Sequence, residues 1–111
     1  MKDSVYLKHI LDSISNIERF VQGLSKDDFF RNIEKQYAVL RGLEIIGEAT
    51  KNLSRDTKKS CHEVNWKDIA GMRDKLIHAY FGVNLLLVWT TVKEDLPTLK
   101  EQVEKLLVSS E

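Results

Sequence analysis

Proline occurs once in these 111 residues, cysteine once and glycine five times. So few breakers, set among abundant Leu, Ile, Lys and Glu, favour helix over sheet. A lone Cys61 excludes any disulfide within the chain and points to a reducing compartment. No segment approaches the roughly 20 consecutive apolar residues of a membrane span. The opening MKDSVYLKHILDSI also lacks the unbroken apolar core of a secretory signal, so a cytoplasmic protein is expected. Neither sign of charge prevails, because 17 Lys and Arg balance 17 Asp and Glu. No whole-molecule field therefore advertises a nucleic-acid partner. There is no glycine-rich phosphate loop and no serine-nucleophile turn. His9, Cys61, His62 and His78 do not fall into metal-ligand spacings, and neither a metal nor an organic cofactor is expected.

What remains is 42% hydrophobic and 31% charged, enough for one modest core and a single domain over residues 1–111. From Leu7, apolar residues recur at Ile10, Ile14, Ile17, Val21 and Leu24, the alternating three-and-four spacing of a helix packed in a bundle. After Gly23, Ser25 is a plausible N-cap, with Asp27 and Asp28 in the first turn. A second helix is expected from about Lys26 to Leu53, with Phe30, Ile33, Tyr37 and Leu40 facing inward. Ser54–Asn65 reads as a polar connection with room for a short helical turn. Asn65 caps a third helix from Trp66, for which Gly82 makes a fitting exit, and Asn84 starts a fourth. Pro97 would open a fifth, with Leu99, Val103 and Leu106 inward. The predicted fold is all-α, an up-and-down bundle of four to five helices. Leu85, Leu86, Leu87, Val88, Trp89 and Val92 cover more than one face of the fourth helix, and a homodimer is the natural outlet for that surplus.

The stretch GMRDKLIHAY, Gly71–Tyr80, breaks the pattern. At about 100° per residue, Trp66, Ile69, Ala70, Met72, Leu76, Ile77 and Tyr80 share one broad face, and Arg73 falls in its middle. A buried guanidinium requires a carboxylate or an anion. In RGLEIIGEAT, Arg41, Glu44 and Glu48 lie on one side of the second helix, and Glu44 stands where the spacing predicts an apolar residue. Either carboxylate could partner Arg73, as a structural ion pair or as part of a polar site. His78 lies on the other face with Asp74, four residues earlier, placed to hold its imidazole in one tautomer. Arg73 and His78 are about 140° apart on an ideal helix. A long arginine reaching round, a loosened helix before Gly82, or two copies each giving half a cleft would bring them together. Residues 51–75 carry seven Lys and Arg against four acids, which is either a solvated surface or a phosphate-attracting edge.

Arg73-Asp-Lys-Leu-Ile-His78-Ala-Tyr80 matches the R-x4-H-x-Y signature of HEPN-domain proteins, and the chain resembles the HepT-like ribonuclease toxins. IGEA at Ile46–Ala49, W-x-x-I-A-G-M-R at Trp66–Arg73, VW at Val88–Trp89 and LPTL at Leu96–Leu99 resemble that family too, so the likeness spans nearly the whole chain. The resemblance implies a helical homodimer whose two motifs face each other in a composite, metal-independent RNA-cleaving site. It implies His78 as general acid/base and Arg73 as the group on the scissile phosphate. The family usually has a small polar residue, often Asn, after the arginine. Asp74 departs from that, which weakens a phosphate-side role and leaves the His-orienting one. The implied partner is a minimal nucleotidyltransferase antitoxin that transfers AMP to the signature tyrosine, here Tyr80; read alone, Tyr80 would be a core aromatic. The alternative is a non-catalytic module that binds nucleotide or presents substrate to the nucleotidyltransferase, which the near-neutral charge favours.

Overall fold

In the computed structural model, which describes residues 2–72, 74–75 and 84–110, the first element follows the apolar stripe closely. Helix α1 spans Lys2–Val21 and buries Leu7, Ile10, Ile14, Ile17 and Val21. It stops where Gly23 takes a φ of +77°, a left-handed turn that glycine adopts without Cβ strain. Ser25 then caps α2, Lys26–Arg31, through a reciprocal box. Its hydroxyl accepts from Asp28 N at 3.0 Å, and its own N–H donates to Asp28 Oδ2 at 3.1 Å.

The expected single helix from Lys26 to Leu53 is in fact two. Asn32 leaves the helical region at φ −111° and ψ 94°, and its side chain accepts from Lys35 N at 3.0 Å, capping α3, Ile33–Lys51. Gln36 Nε2 donates back to the carbonyls of Phe29 and Phe30, which satisfies the end of α2. The break resets the helical phase. Val39, Leu43, Ile46 and Thr50 form the buried stripe of α3, whereas Ile33 and Tyr37, expected inward, are 65% and 56% exposed. Thr50 is tolerated in the core because its hydroxyl donates to the Ile46 carbonyl at 2.8 Å. α1 and α3 run against each other closely enough that a Cβ on Gly42 would lie 2.7 Å from Ile17 Cδ1 and Cγ1.

The polar connection contains α4, Arg55–Ser60, which Ser54 caps. Asp3 ties it to α1: its carboxylate accepts from Ser54 N at 3.0 Å and Ser54 Oγ at 2.5 Å, and from the Thr57 hydroxyl. These hydroxyl donors, Ser54 first, hold the Asp3 carboxyl below its usual range. Asn65 caps α5, Trp66–Ala70, as expected, and Trp66 Nε1 donates to the Cys61 carbonyl at 2.9 Å. The expected exit at Gly82 lies outside the described residues.

Asn84 caps α6, Leu85–Thr90, again as expected. A fresh start at Pro97 is not observed. The chain runs on through a π turn, Thr91–Asp95, into α7, Leu96–Ser110. Leu96 N donates to Thr91 O, a bond five residues long rather than four. Proline offers no N–H to Lys93 and its ring would crowd that carbonyl, so the wider turn accommodates Pro97 inside a continuous helical rod. α7 packs on α1 through Leu96, Leu99 and Val103, with Leu106 half-buried. The described residues form an all-α bundle and contain no strand.

Candidate active site

Three helical pieces meet around the start of the signature. α5 packs on α3, and the turn that follows α5 continues helically, since Gly71 N donates to Lys67 O at 2.9 Å and Lys75 N to Gly71 O at 3.1 Å. Trp66 and Met72 are buried and Ile69 half-buried, while Lys67, Asp74 and Lys75 face solvent, as the helical wheel requires. Arg73, His78 and Tyr80 lie outside the described residues, as does any ion pair of Arg73. Asp74 stands exposed at the threshold of that segment.

Glu44 and Glu48 do not intrude on the core. The reset of phase at Asn32 places both on the shoulder of α3, with side chains 31% and 50% exposed. Glu44 accepts from Arg41 Nη1 at 2.5 Å, and Glu48 lies 3.7 Å from Lys51 Nζ. They stay on one side of the helix that backs α5, so the two carboxylates and the segment leading into the signature come from packed elements.

Beside the signature, Asp68, Met72 and Lys75 face Leu87, Thr91 and Asp95 across a cleft of about 130 Å³. The π turn supplies its far wall. Asp68, Thr91 and Asp95 escaped sequence reasoning because no local pattern links α5 to residues more than 20 positions on. α6 and the π turn dispose of part of the apolar surplus internally: Val88 and Val92 are buried, and Trp89 packs on Phe29 at 5.4 Å with Lys93 Nζ 4.9 Å above its ring. Leu86 and Leu87 remain 52% and 43% exposed.

Among the described residues no group of three His, Cys, Asp or Glu side chains is placed to hold a metal. His9 and His62 are exposed, and His9 meets only the edge of Tyr6 at 6.2 Å. Cys61 is buried, and that burial pushes its thiol up from the ordinary range, so it is not an activated nucleophile. Its sulfur donates to Gln102 Oε1 at 3.4 Å.

The family described as "Ribonuclease HepT-like" matches residues 10–106. A Thermococcus cleftensis protein named "Probable ribonuclease HepT" is 50% identical over 91% of this chain and 92% of its own length. "Putative RNase TTE0752" of Caldanaerobacter subterraneus is 46% identical over 92% of this chain and 91% of its length. The Methanocaldococcus jannaschii protein named "Gamma-glutamylcyclotransferase and putative RNase MJ0434" is 48% identical over 93% of this chain, which spans 46% of that longer protein. No solved structure matches the chain.

Proposed function

This chain belongs to the ribonuclease HepT-like family, and on that premise we propose that it is the metal-independent endoribonuclease toxin of a toxin–antitoxin pair, acting in the cytoplasm as a homodimer. The coarser part of this, a ribonuclease, rests on the family match over residues 10–106, and that match carries the reading. The finer part rests on the intact Arg73, His78 and Tyr80 inside the matched span.

In this reading the single domain supplies half of a composite site. His78 takes the proton of a ribose 2′-hydroxyl as its oxygen bonds to the adjacent phosphorus. The P–O5′ bond breaks, and the partner's His78 returns a proton to the leaving oxygen. Arg73 neutralises charge growing on the phosphoryl oxygens. Asp74 orients the imidazole, and Glu44 and Glu48 hold the arginine side of the site from α3. Exposed Leu86 and Leu87 on α6 support a second copy docking beside the motif. A minimal nucleotidyltransferase antitoxin would then silence the site by joining the Tyr80 oxygen to the α-phosphorus of ATP, with pyrophosphate leaving. The adenylyl phosphate would occupy the anion position beside Arg73.

The test is cleavage of RNA in excess chelator by purified, partner-free protein, once mass measurement has shown Tyr80 to be bare. Wild type is expected to cut, and His78→Ala to lose about 10²–10⁴-fold in rate while unfolding at the same temperature. Equal cutting by both proteins removes His78 from the chemistry. A folded, unmodified dimer that cuts nothing favours the non-catalytic partner of a nucleotidyltransferase instead.

A further inference from the structure

The backbone conformation of Gly71 does not call for glycine. Its φ of −79° and ψ of −4° are open to any residue. Among the described residues a Cβ built on it meets carbonyls of its own preceding turn, closely at Lys67 O, 3.3 Å, and in ordinary contact at Asp68 O, 3.8 Å, and nothing from another element. Glycine at such a position costs roughly 0.5–1 kcal/mol against alanine. Gly42 differs, since a Cβ there would strike Ile17 at 2.7 Å.

Gly71 is also the midpoint of a line. The bonds from Gly71 N to Lys67 O and from Lys75 N to Gly71 O put Lys67, Gly71 and Lys75 on one ridge, the lysines about 12 Å apart. Both lysines are exposed, and neither side chain makes a hydrogen bond or ion pair among the described residues. Lys51, Lys100 and Lys105 pair with carboxylates, and Lys35 and Lys93 lie over aromatic rings. Among the described residues Lys8, Lys26 and Lys59 are as exposed and unpaired as Lys67 and Lys75 but are scattered over separate helices. On an unbroken helix the spacing would carry this ridge on to His78, seven residues beyond Gly71 and three beyond Lys75. Asp68 and Asp74 flank it, so the ridge carries two point charges within a neutral surface.

We infer that Lys67, Gly71 and Lys75 form a track for the substrate's sugar-phosphate backbone leading to the scissile position. Each lysine takes one phosphate, and the bare glycine lets the backbone lie close to the helix between them. The flanking carboxylates confine the strand to that line by repelling it on either side. A substrate gripped at two phosphates reconciles RNA binding with a chain of zero net charge. The track rests on the ribonuclease reading above and extends it from the reacting phosphate to the nucleotides beside it.

The experiment is steady-state cleavage of a random-sequence single-stranded RNA pool across a salt series, with thermal unfolding of each protein alongside. Lys67→Gln and Lys75→Gln are each expected to raise KM about fivefold at low salt with kcat unchanged. Each should also make the dependence of log KM on log salt shallower by about 0.7. Gly71→Ala should raise KM comparably while unfolding at or above the wild-type temperature. Lys8→Gln, an exposed lysine on α1, should change neither quantity. If wild type cuts and the two lysine variants keep its KM and salt slope, the track is wrong and the ribonuclease reading stands. A Gly71→Ala protein that melts well below wild type would mean that the glycine serves the fold, and the notch is wrong. If wild type cuts no RNA in the pool, the track falls together with the activity it extends.

Discussion

α1, α3 and α7 contain 20, 19 and 15 residues, whereas α4, α5 and α6 contain six, five and six. The long helices bury mainly aliphatic stripes against one another. The short ones are too brief to persist by propensity, and each begins at a side-chain cap: Ser54, Asn65 and Asn84. Most of the buried surface therefore lies in the three-helix frame, while the short helices on either side of the signature add a few core residues each, Trp66 in α5 and Val88 in α6. Under the proposed function, a site that admits a strand of RNA between two copies would gain from being placed where local opening is cheap.

Three substitutions sharpen that contrast. In the frame, Leu43→Ala removes a fully buried side chain between α1 and α3 and should cost about 2–5 kcal/mol by urea unfolding. Global unfolding should carry cleavage down with it. At the edge, Asn65→Ala orphans the Asp68 N–H that its oxygen now accepts from. About 1 kcal/mol is expected, with amide exchange quickening in α5 well before the frame responds. A loss there as large as that of Leu43→Ala would collapse the distinction between the two regions.

The smallest effect is expected at Asp3, which joins the regions by accepting from Ser54 and Thr57. Because the folded carboxyl is held below its ordinary 3.8, its contribution is fully present above that value. It is lost as pH falls through the lower, folded one. Asp3→Ala should therefore lower the melting temperature at pH 7 by an amount corresponding to under about 1 kcal/mol. The gap should close as pH drops below 4. A gap that persists in acid would mean that the tie acts through packing and not through charge.

The parts of the molecule that could be read from sequence are those whose cause is local. The stripe from Leu7 to Val21, the caps at Ser25, Asn65 and Asn84, and the outward Lys67, Asp74 and Lys75 each follow from residues within a turn or two. The break at Asn32 was hidden because one asparagine amid good helix formers looks innocuous. It takes Gln36, reaching back to Phe29 and Phe30, to finish one helix while the next begins. Without that break the periodicity turns the whole of α3, directing Tyr37 inward and Glu44 toward the core, whereas the structure leaves Tyr37 56% and the Glu44 side chain 31% exposed. The tie from Asp3 to Ser54 spans 51 positions and leaves no trace in any window of sequence. The signature itself was legible as a string, and its residues Arg73, His78 and Tyr80 now stand as proposals for mutagenesis.

The π turn at Thr91–Asp95 inserts one extra residue into an otherwise regular rod. Everything after it is swung by about 100° relative to everything before. Upstream, Trp89 looks toward Phe29 of α2; downstream, Leu96, Leu99 and Val103 look toward α1. One backbone thus keeps two separate appointments that no single stripe could keep. The join between them forms a wall of the cleft beside the signature, so the two facings are as tightly geared as consecutive turns of a screw.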